Sequence, residues 1–157
     1  LAALVYPSGY YNAKARKLKA LAEYLGTTWE DDIDAMAGAD LAPLRVELLA
    51  VHGVGEETVD DILLYALDKP VFVIDAYTRR LVDRLGLAPG EDRYSAYQAL
   101  FIERLEPDAE VYGEYHALIV RHAKEACRKT APLCNGCVLR EVCATGRGGE
   151  FAPGRTS

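Results

Sequence analysis

Cysteine is missing from the first 126 residues, and tryptophan and methionine occur once each. No apolar run approaches the ~20 residues that a bilayer requires, so no membrane-spanning helix is predicted. A charged-then-apolar leader is also lacking, and the chain opens on Leu1 rather than Met, so secretion has no support. Alternating strand patterns are weak and no internal repeat is visible, which argues against a β-sandwich, a barrel or a solenoid. Basic residues are nearly missing from one stretch: between Glu23 and Asp61, eleven acids meet a single base, Arg45.

What is present suits a folded chain. Half of the 157 residues are hydrophobic and 27% are charged, which excludes disorder. A chain of this length buries roughly 70% of its unfolded surface, in one core or two small lobes. The formal net charge is −6, yet Lys14, Arg16, Lys17 and Lys19 cluster ahead of the acidic block. Beyond it, Arg121, Lys124, Arg128, Lys129, Arg140 and Arg147 face only Glu125 and Glu141. Local patches act within a Debye length, so the net charge does not exclude a nucleic-acid partner.

All four cysteines fall in one short segment, Cys127-x6-Cys134-x2-Cys137-x5-Cys143, with Pro132, Asn135 and Gly136 to turn the chain. A disulfide framework belongs to small secreted domains, which this is not. Four thiolates so close together can wrap one metal centre. Structural zinc usually takes two C-x2–4-C knuckles, and only Cys134 and Cys137 form such a pair. Uneven spacing suits the separated corners of an iron–sulfur cubane better, with zinc as the alternative.

The periodicity is almost entirely helical. Asn12 is predicted to cap a helix from about Ala13 to Leu25, with Leu18, Leu21, Ala22 and Leu25 on one face and Gly26 as its stop. Further helices are expected over Asp31 to Met36, from Pro43 through Leu49, Glu56 to Leu67, Arg93 to Leu105 and Gly113 to Cys127. Tyr6 to Gly9 reads as a turn, and Pro70 to Ile74 is too short to assign by periodicity. Asp75 heads a helix that Gly86 ends near Leu85.

Two of these junctions carry chemistry. His52-Gly53-Val54-Gly55 forms a tight hairpin in which glycine permits positive φ and close approach of another chain, while Val54 plugs the core. The amides of the following turn could hold a phosphate oxygen, contacting DNA without reading sequence; an ordinary helical corner is the plainer alternative. Asp75 follows an apolar run. It can simply cap its helix, or stand as an ionised carboxylate that stabilises a sugar cation or takes a proton from water.

The order of glycine hairpin, aspartate and C-x6-C-x2-C-x5-C resembles the endonuclease III branch of the helix-hairpin-helix DNA glycosylases, from Ser8-Gly9-Tyr10-Tyr11-Asn12-Ala13-Lys14-Ala15 to Cys143. The resemblance implies an all-α, two-lobed helix-hairpin-helix DNA glycosylase fold with a C-terminal [4Fe-4S] cluster loop. Residues 1–69 would form the barrel part with the hairpin, 70–146 a cluster-bearing helical domain, and 147–157 a flexible tail. The partner implied is double-stranded DNA, whose damaged base is flipped into a cleft between the lobes. A cytoplasmic, nucleoid-associated monomer of prokaryotic type is expected, with no membrane association.

Residue by residue, Asp75 matches the family's catalytic aspartate, Gly53, Val54 and Gly55 its phosphate-binding hairpin, and Cys127, Cys134, Cys137 and Cys143 its cluster ligands. Lys14, Lys124 and Arg128 are candidate DNA contacts. Endonuclease III proper carries a Schiff-base lysine two residues after the second hairpin glycine; here that position is Glu57. A carboxylate cannot form an imine, so monofunctional hydrolysis is expected. The run from Gly53 to Ala66 also looks like the alkylated-base glycosylases of this branch, such as those for 3-methyladenine. Tyr65 and Tyr77 are candidate stacking partners for a cationic base, with Glu57 as a charge partner. The alternatives are an endonuclease III-like glycosylase and lyase for oxidised pyrimidines, and a catalytically weak DNA-binding cluster protein. The family's helices ahead of the Ser8 segment are not seen upstream of Leu1, so the chain is expected to be a fragment of a longer protein.

Overall fold

The structure, a computed structural model, describes residues 1–148; the rest of the glycine-rich tail, 149–157, lies outside the described residues. The described residues are helical, with no β-strand among them, and none of their helices is long and apolar enough to cross a membrane. They divide into two compact units, the first Leu1–Lys69 and the second beginning at Pro70.

In the first unit a 3-10 turn, Tyr6–Ser8, leads to α1 (Tyr11–Trp29), α2 (Ile33–Gly38), α3 (Leu41–Ala50) and α4 (Glu56–Asp61). Met36, Leu44, Leu48, Val59 and Leu63 are its buried centre. Asp60 is also fully buried, and Arg45 of α3 meets both of its oxygens, Nε at 2.7 Å and Nη2 at 3.1 Å. Burial of an acid is tolerable only with such a partner.

Gly26 does not stop α1. The helix continues to Trp29 and closes where Glu30 and Asp31 turn left-handed, both amides bonding the Leu25 carbonyl. A glycine inside a helix costs about 1 kcal/mol against alanine. Here the extension is tied by Trp29 Nε1, which donates to Tyr24 Oη at 2.9 Å, and Tyr24 donates on to Glu47 of α3 at 3.1 Å. At the other end Tyr10, not Asn12, is the capping residue. Leu18, expected on a buried face, is 45% exposed, and no residue of α1 is fully buried.

The helix predicted over Glu56 to Leu67 changes pitch halfway. From Ile62 to Ala66 it widens to a π-helix, with the Leu67 amide bonding the Ile62 carbonyl. The change turns Leu63, Leu64 and Leu67 inward and leaves Tyr65 exposed. Lys69 closes the unit: its buried ammonium donates to the Ala37 and Ala39 carbonyls at the end of α2.

The second unit starts with the extended run Pro70 to Ile74, buried from Val71 onward but paired with no strand. Buried backbone groups need partners. Side chains of α6 (Tyr94–Ile102) supply them: Gln98 Nε2 donates to the Phe72 carbonyl (2.8 Å), and the Ile74 amide donates to Tyr94 Oη (3.1 Å). Phe72 stacks on Phe101 at 3.9 Å and meets Tyr112 edge-on. Helix α5 (Ala76–Leu85) runs from Asp75 to Gly86 (φ 83°), as the sequence predicts. Helix α7 (Ala109–Glu125) begins ahead of the predicted Gly113, because Asp108 caps it by accepting the Val111 amide at 2.9 Å.

Candidate active site

Asp75 ends the buried extended run and begins α5. Its Oδ1 accepts the Thr78 amide at 2.7 Å, so the capping role is real. Its Oδ2 lies 3.6 Å from Nε2 of His116 on α7, and both side chains are largely buried, at 13% and 8% exposure. Burial alone pushes this carboxyl up; the His116 contact and the bonds from Thr78 outweigh it, holding the group below the ordinary carboxylate value. The result is a sheltered but ionised carboxylate.

The glycine hairpin lies between α3 and α4. Gly53 is left-handed (φ 79°), and a Cβ placed there would meet Lys17 Cγ at 2.6 Å. Lys17 therefore lies across the turn with its stem on the glycine. Val54 is buried as predicted, and Gly55, extended at φ −103°, has open space where a Cβ would stand. Glu57 is exposed in the first turn of α4.

Cys127, Cys134, Cys137 and Cys143 line one cavity together with Arg84 and His122. None is in a disulfide. Several sulfurs have donors within reach: Arg84 Nη1 lies 3.2 Å from Cys127, and the Leu139 and Gly146 amides lie 3.4 Å from Cys137 and Cys143. His122 Nε2 is 3.5 Å from Cys137. Among the described residues no three ligating side chains converge on a single ion position. Four thiols around one cavity, with donors directed at three of the sulfurs, are a donor set that fits a sulfur-bound metal group.

The other predicted residues divide between the units. Lys14, the hairpin, Glu57 and Tyr65 belong to the first; Asp75, Tyr77, Lys124, Arg128 and the cysteines belong to the second. Lys14 donates to the Ser8 carbonyl at 2.5 Å. The Tyr77 ring takes Arg80 at 5.0 Å and Lys124 at 5.4 Å from its centroid, so its π-face already receives cations of its own unit. Arg128 is exposed, and its Nε donates to the Glu125 carbonyl.

Residues 1–107 match the family described as HhH-GPD superfamily base excision DNA repair protein. The chain belongs to this superfamily. A Methanocaldococcus jannaschii protein named provisionally as a DNA repair glycosylase is 45% identical over 141 residues, covering 89% of this chain and 64% of that one. Endonuclease III of Sulfolobus acidocaldarius is 32% identical over 136 residues, covering 87% and 58%. The chain thus spans about three-fifths of the curated relatives it matches. In fold it is similar to endonuclease III in a trapped covalent complex with DNA, with a TM-score of 0.78 at 22% identity, covering 94% of this chain and 64% of that one. Helicobacter pylori 3-methyladenine DNA glycosylase bound to 1,N6-ethenoadenine gives 0.63 at 28%, covering 79% and 61%.

Within this HhH-GPD chain, sequence reasoning missed three groups. His116 carried no motif, though it shares a buried α7 face with Tyr112, Ile119 and Ala123 at helical spacing. Lys17 was counted only as part of a basic cluster. Arg80 and Arg84 were not singled out, yet both are buried: Arg80 donates to the Ala123 and Cys127 carbonyls, and Arg84 to those of Cys127, Arg128 and Lys129. They satisfy carbonyls that the end of α7 leaves without helical partners. The signal was their spacing, since both fall on the face of α5 shared with Leu81 and Val82.

Proposed function

We propose that the chain carries the chemistry of a DNA glycosylase that hydrolyses the N-glycosidic bond of alkylated bases in duplex DNA. The carrying observation is Asp75, a sheltered carboxylate kept ionised by its surroundings. In this reading the C1′–N bond breaks with its electron pair leaving on the base, and Asp75 stabilises the sugar cation. Water then adds at C1′ and releases a proton, which Asp75 is placed to accept; the products are free base and an abasic site. A base made cationic by alkylation is already a good leaving group, so little acid catalysis is required. Glu57 at the lysine position supports a monofunctional course and offers a negative charge to such a base. The neighbour named as a 3-methyladenine DNA glycosylase is consistent with that class. The Gly53-Val54-Gly55 hairpin is assigned to backbone phosphate, and Lys14, Lys124 and Arg128 to sequence-independent contacts. Tyr65 and Tyr77 are the candidate stacking partners; Tyr65 is exposed, and the Tyr77 ring faces Arg80 and Lys124.

Cys127, Cys134, Cys137 and Cys143 would hold a [4Fe-4S] cluster. When bound, its role here is structural, tying together the segment after α7, which carries Arg128 and follows closely on Lys124. An anaerobically prepared protein is expected to be brown with about four irons per chain; a colourless, iron-free preparation overturns this assignment.

The relatives named endonuclease III favour one second reading, a glycosylase and lyase with an amine supplied elsewhere. A panel of alkylated, oxidised and deaminated duplexes, run with borohydride, separates the two. The expected result is base release from alkylated duplex with no covalent adduct. Release from oxidised pyrimidines with trapping supports the second reading, and no release from any lesion leaves a non-catalytic DNA-binding protein.

A further inference from the structure

We propose that His116 is the positioning residue for the Asp75 carboxylate, facing Oδ2 with Nε2 at 3.6 Å while the Thr78 amide holds Oδ1. The inference deepens the assignment of Asp75 above and rests on it. Two contacts on opposite oxygens restrict rotation of the carboxyl plane, which one N-cap bond cannot do. The imidazole is itself placed by packing: it stands on the buried face of α7, edge-on to Phe72 (6.5 Å, 79°), which also meets Phe101, Tyr112 and Tyr115. That apolar wall leaves Nε2 directed at the carboxylate. At 3.6 Å the pair is an open electrostatic contact, of the kind that shortens when a substrate closes the site.

Other charges nearby are committed elsewhere. On α5, Arg79 pairs with Asp92 at 2.8 Å and Arg80 with the carbonyls ending α7. On α7, Glu110 and Glu114 are exposed, and from α6 Tyr94 Oη accepts the Ile74 amide. With Thr78, His116 is the side chain whose contact holds the Asp75 carboxyl below its ordinary value. An imidazole so placed stabilises the ionised carboxylate and sets the direction of its lone pairs toward a developing sugar cation, without touching substrate itself.

The test titrates the Asp75 carboxyl directly, by carbon NMR of protein labelled at aspartate Cγ, with Asp75→Asn assigning the signal. His116→Phe keeps an aromatic ring against Phe72 and removes the donor; His116→Gln restores a donor. The expected result is an Asp75 midpoint raised in H116F and returned toward wild type in H116Q. His116→Ala, which removes the donor without a ring in its place, is expected to raise the Asp75 midpoint likewise and keeps the test open where H116F fails to fold. An Asp75 midpoint unmoved in folded H116F or H116A overturns the proposal. In single-turnover base release, H116F is expected to be about tenfold slower with duplex affinity within about twofold, and H116Q to recover most of the rate. If wild type releases no base from any lesion, the glycosylase assignment fails while the titrations still decide the pairing.

Discussion

At the scale of the residue, Asp75 does two jobs that substitutions can separate. It caps α5 through Oδ1 and it presents a negative charge. Asparagine caps almost as well as aspartate, so Asp75→Asn isolates the charge, whereas Asp75→Ala removes both. Base release is expected to fall by about three orders of magnitude or more in D75N while duplex binding persists. D75A is expected to lose about 1 kcal/mol of stability beyond D75N, read by urea unfolding. The pH dependence follows in sign. The folded carboxyl sits below its unfolded value, so its contribution to stability is present above the ordinary value of about 3.9 and is lost as pH falls through the lower folded value. The stability difference between wild type and D75N is therefore expected to be constant from about pH 5 to 8 and to shrink only in more acidic solution. A difference that closes already near neutral pH contradicts an Asp75 held in its ionised form.

At the scale of the element, the hairpin separates two glycines that look alike in sequence. Gly53 is left-handed and covered by the Lys17 stem, while Gly55 is extended with open space above it. Gly53→Ala is expected to cost about 1–2 kcal/mol from backbone strain, and more from the displaced lysine; Lys17→Ala in the same chain should recover only the steric part. Gly55→Ala is expected to leave thermal stability within about 0.5 kcal/mol of wild type yet weaken duplex binding, since its methyl group fills the approach to the backbone. Equal losses of stability at both positions would refute this division of labour. Legibility in the sequence followed the same line. The Asp75 and Gly86 boundaries of α5 were readable because cap and stop are local chemistry. Gly26 misled because the end of α1 is decided by Trp29, Tyr24 and Glu47, partners separated along the chain. The π-helical turn at Ile62–Ala66 and the extended Pro70–Ile74 run were likewise unreadable, being settled by burial of three leucines and by Gln98 and Tyr94. Among candidate site residues, the four cysteines and Asp75 announced themselves by type and spacing. His116 did not, since a buried histidine on a helical face has no sequence mark until its neighbour across the fold is known.

At the scale of the whole molecule, a chain of net charge −6 assigned to a polyanion must bind through local patches. The acids crowd between Glu23 and Asp61, whereas Lys124 and Arg128 stand exposed at the end of α7, beside the cysteine loop. Each phosphate neutralised by a cation releases a counterion, so the slope of log affinity against log salt changes by about 0.9 for each such contact. Lys124→Ala and Arg128→Ala are each expected to flatten the slope by about that amount, and together by about twice as much, because separate phosphate contacts add. The change should be the same for damaged and undamaged duplex, since phosphate carries no sequence information. Asp34→Asn, an exposed acid in the first turn of α2, is expected to leave the slope untouched while shifting affinity slightly upward through the long-range field. If instead the Asp34 change alters the slope and the Lys124 and Arg128 changes do not, DNA is held by the first unit's surface, and the cysteine loop serves only to stabilise its own unit.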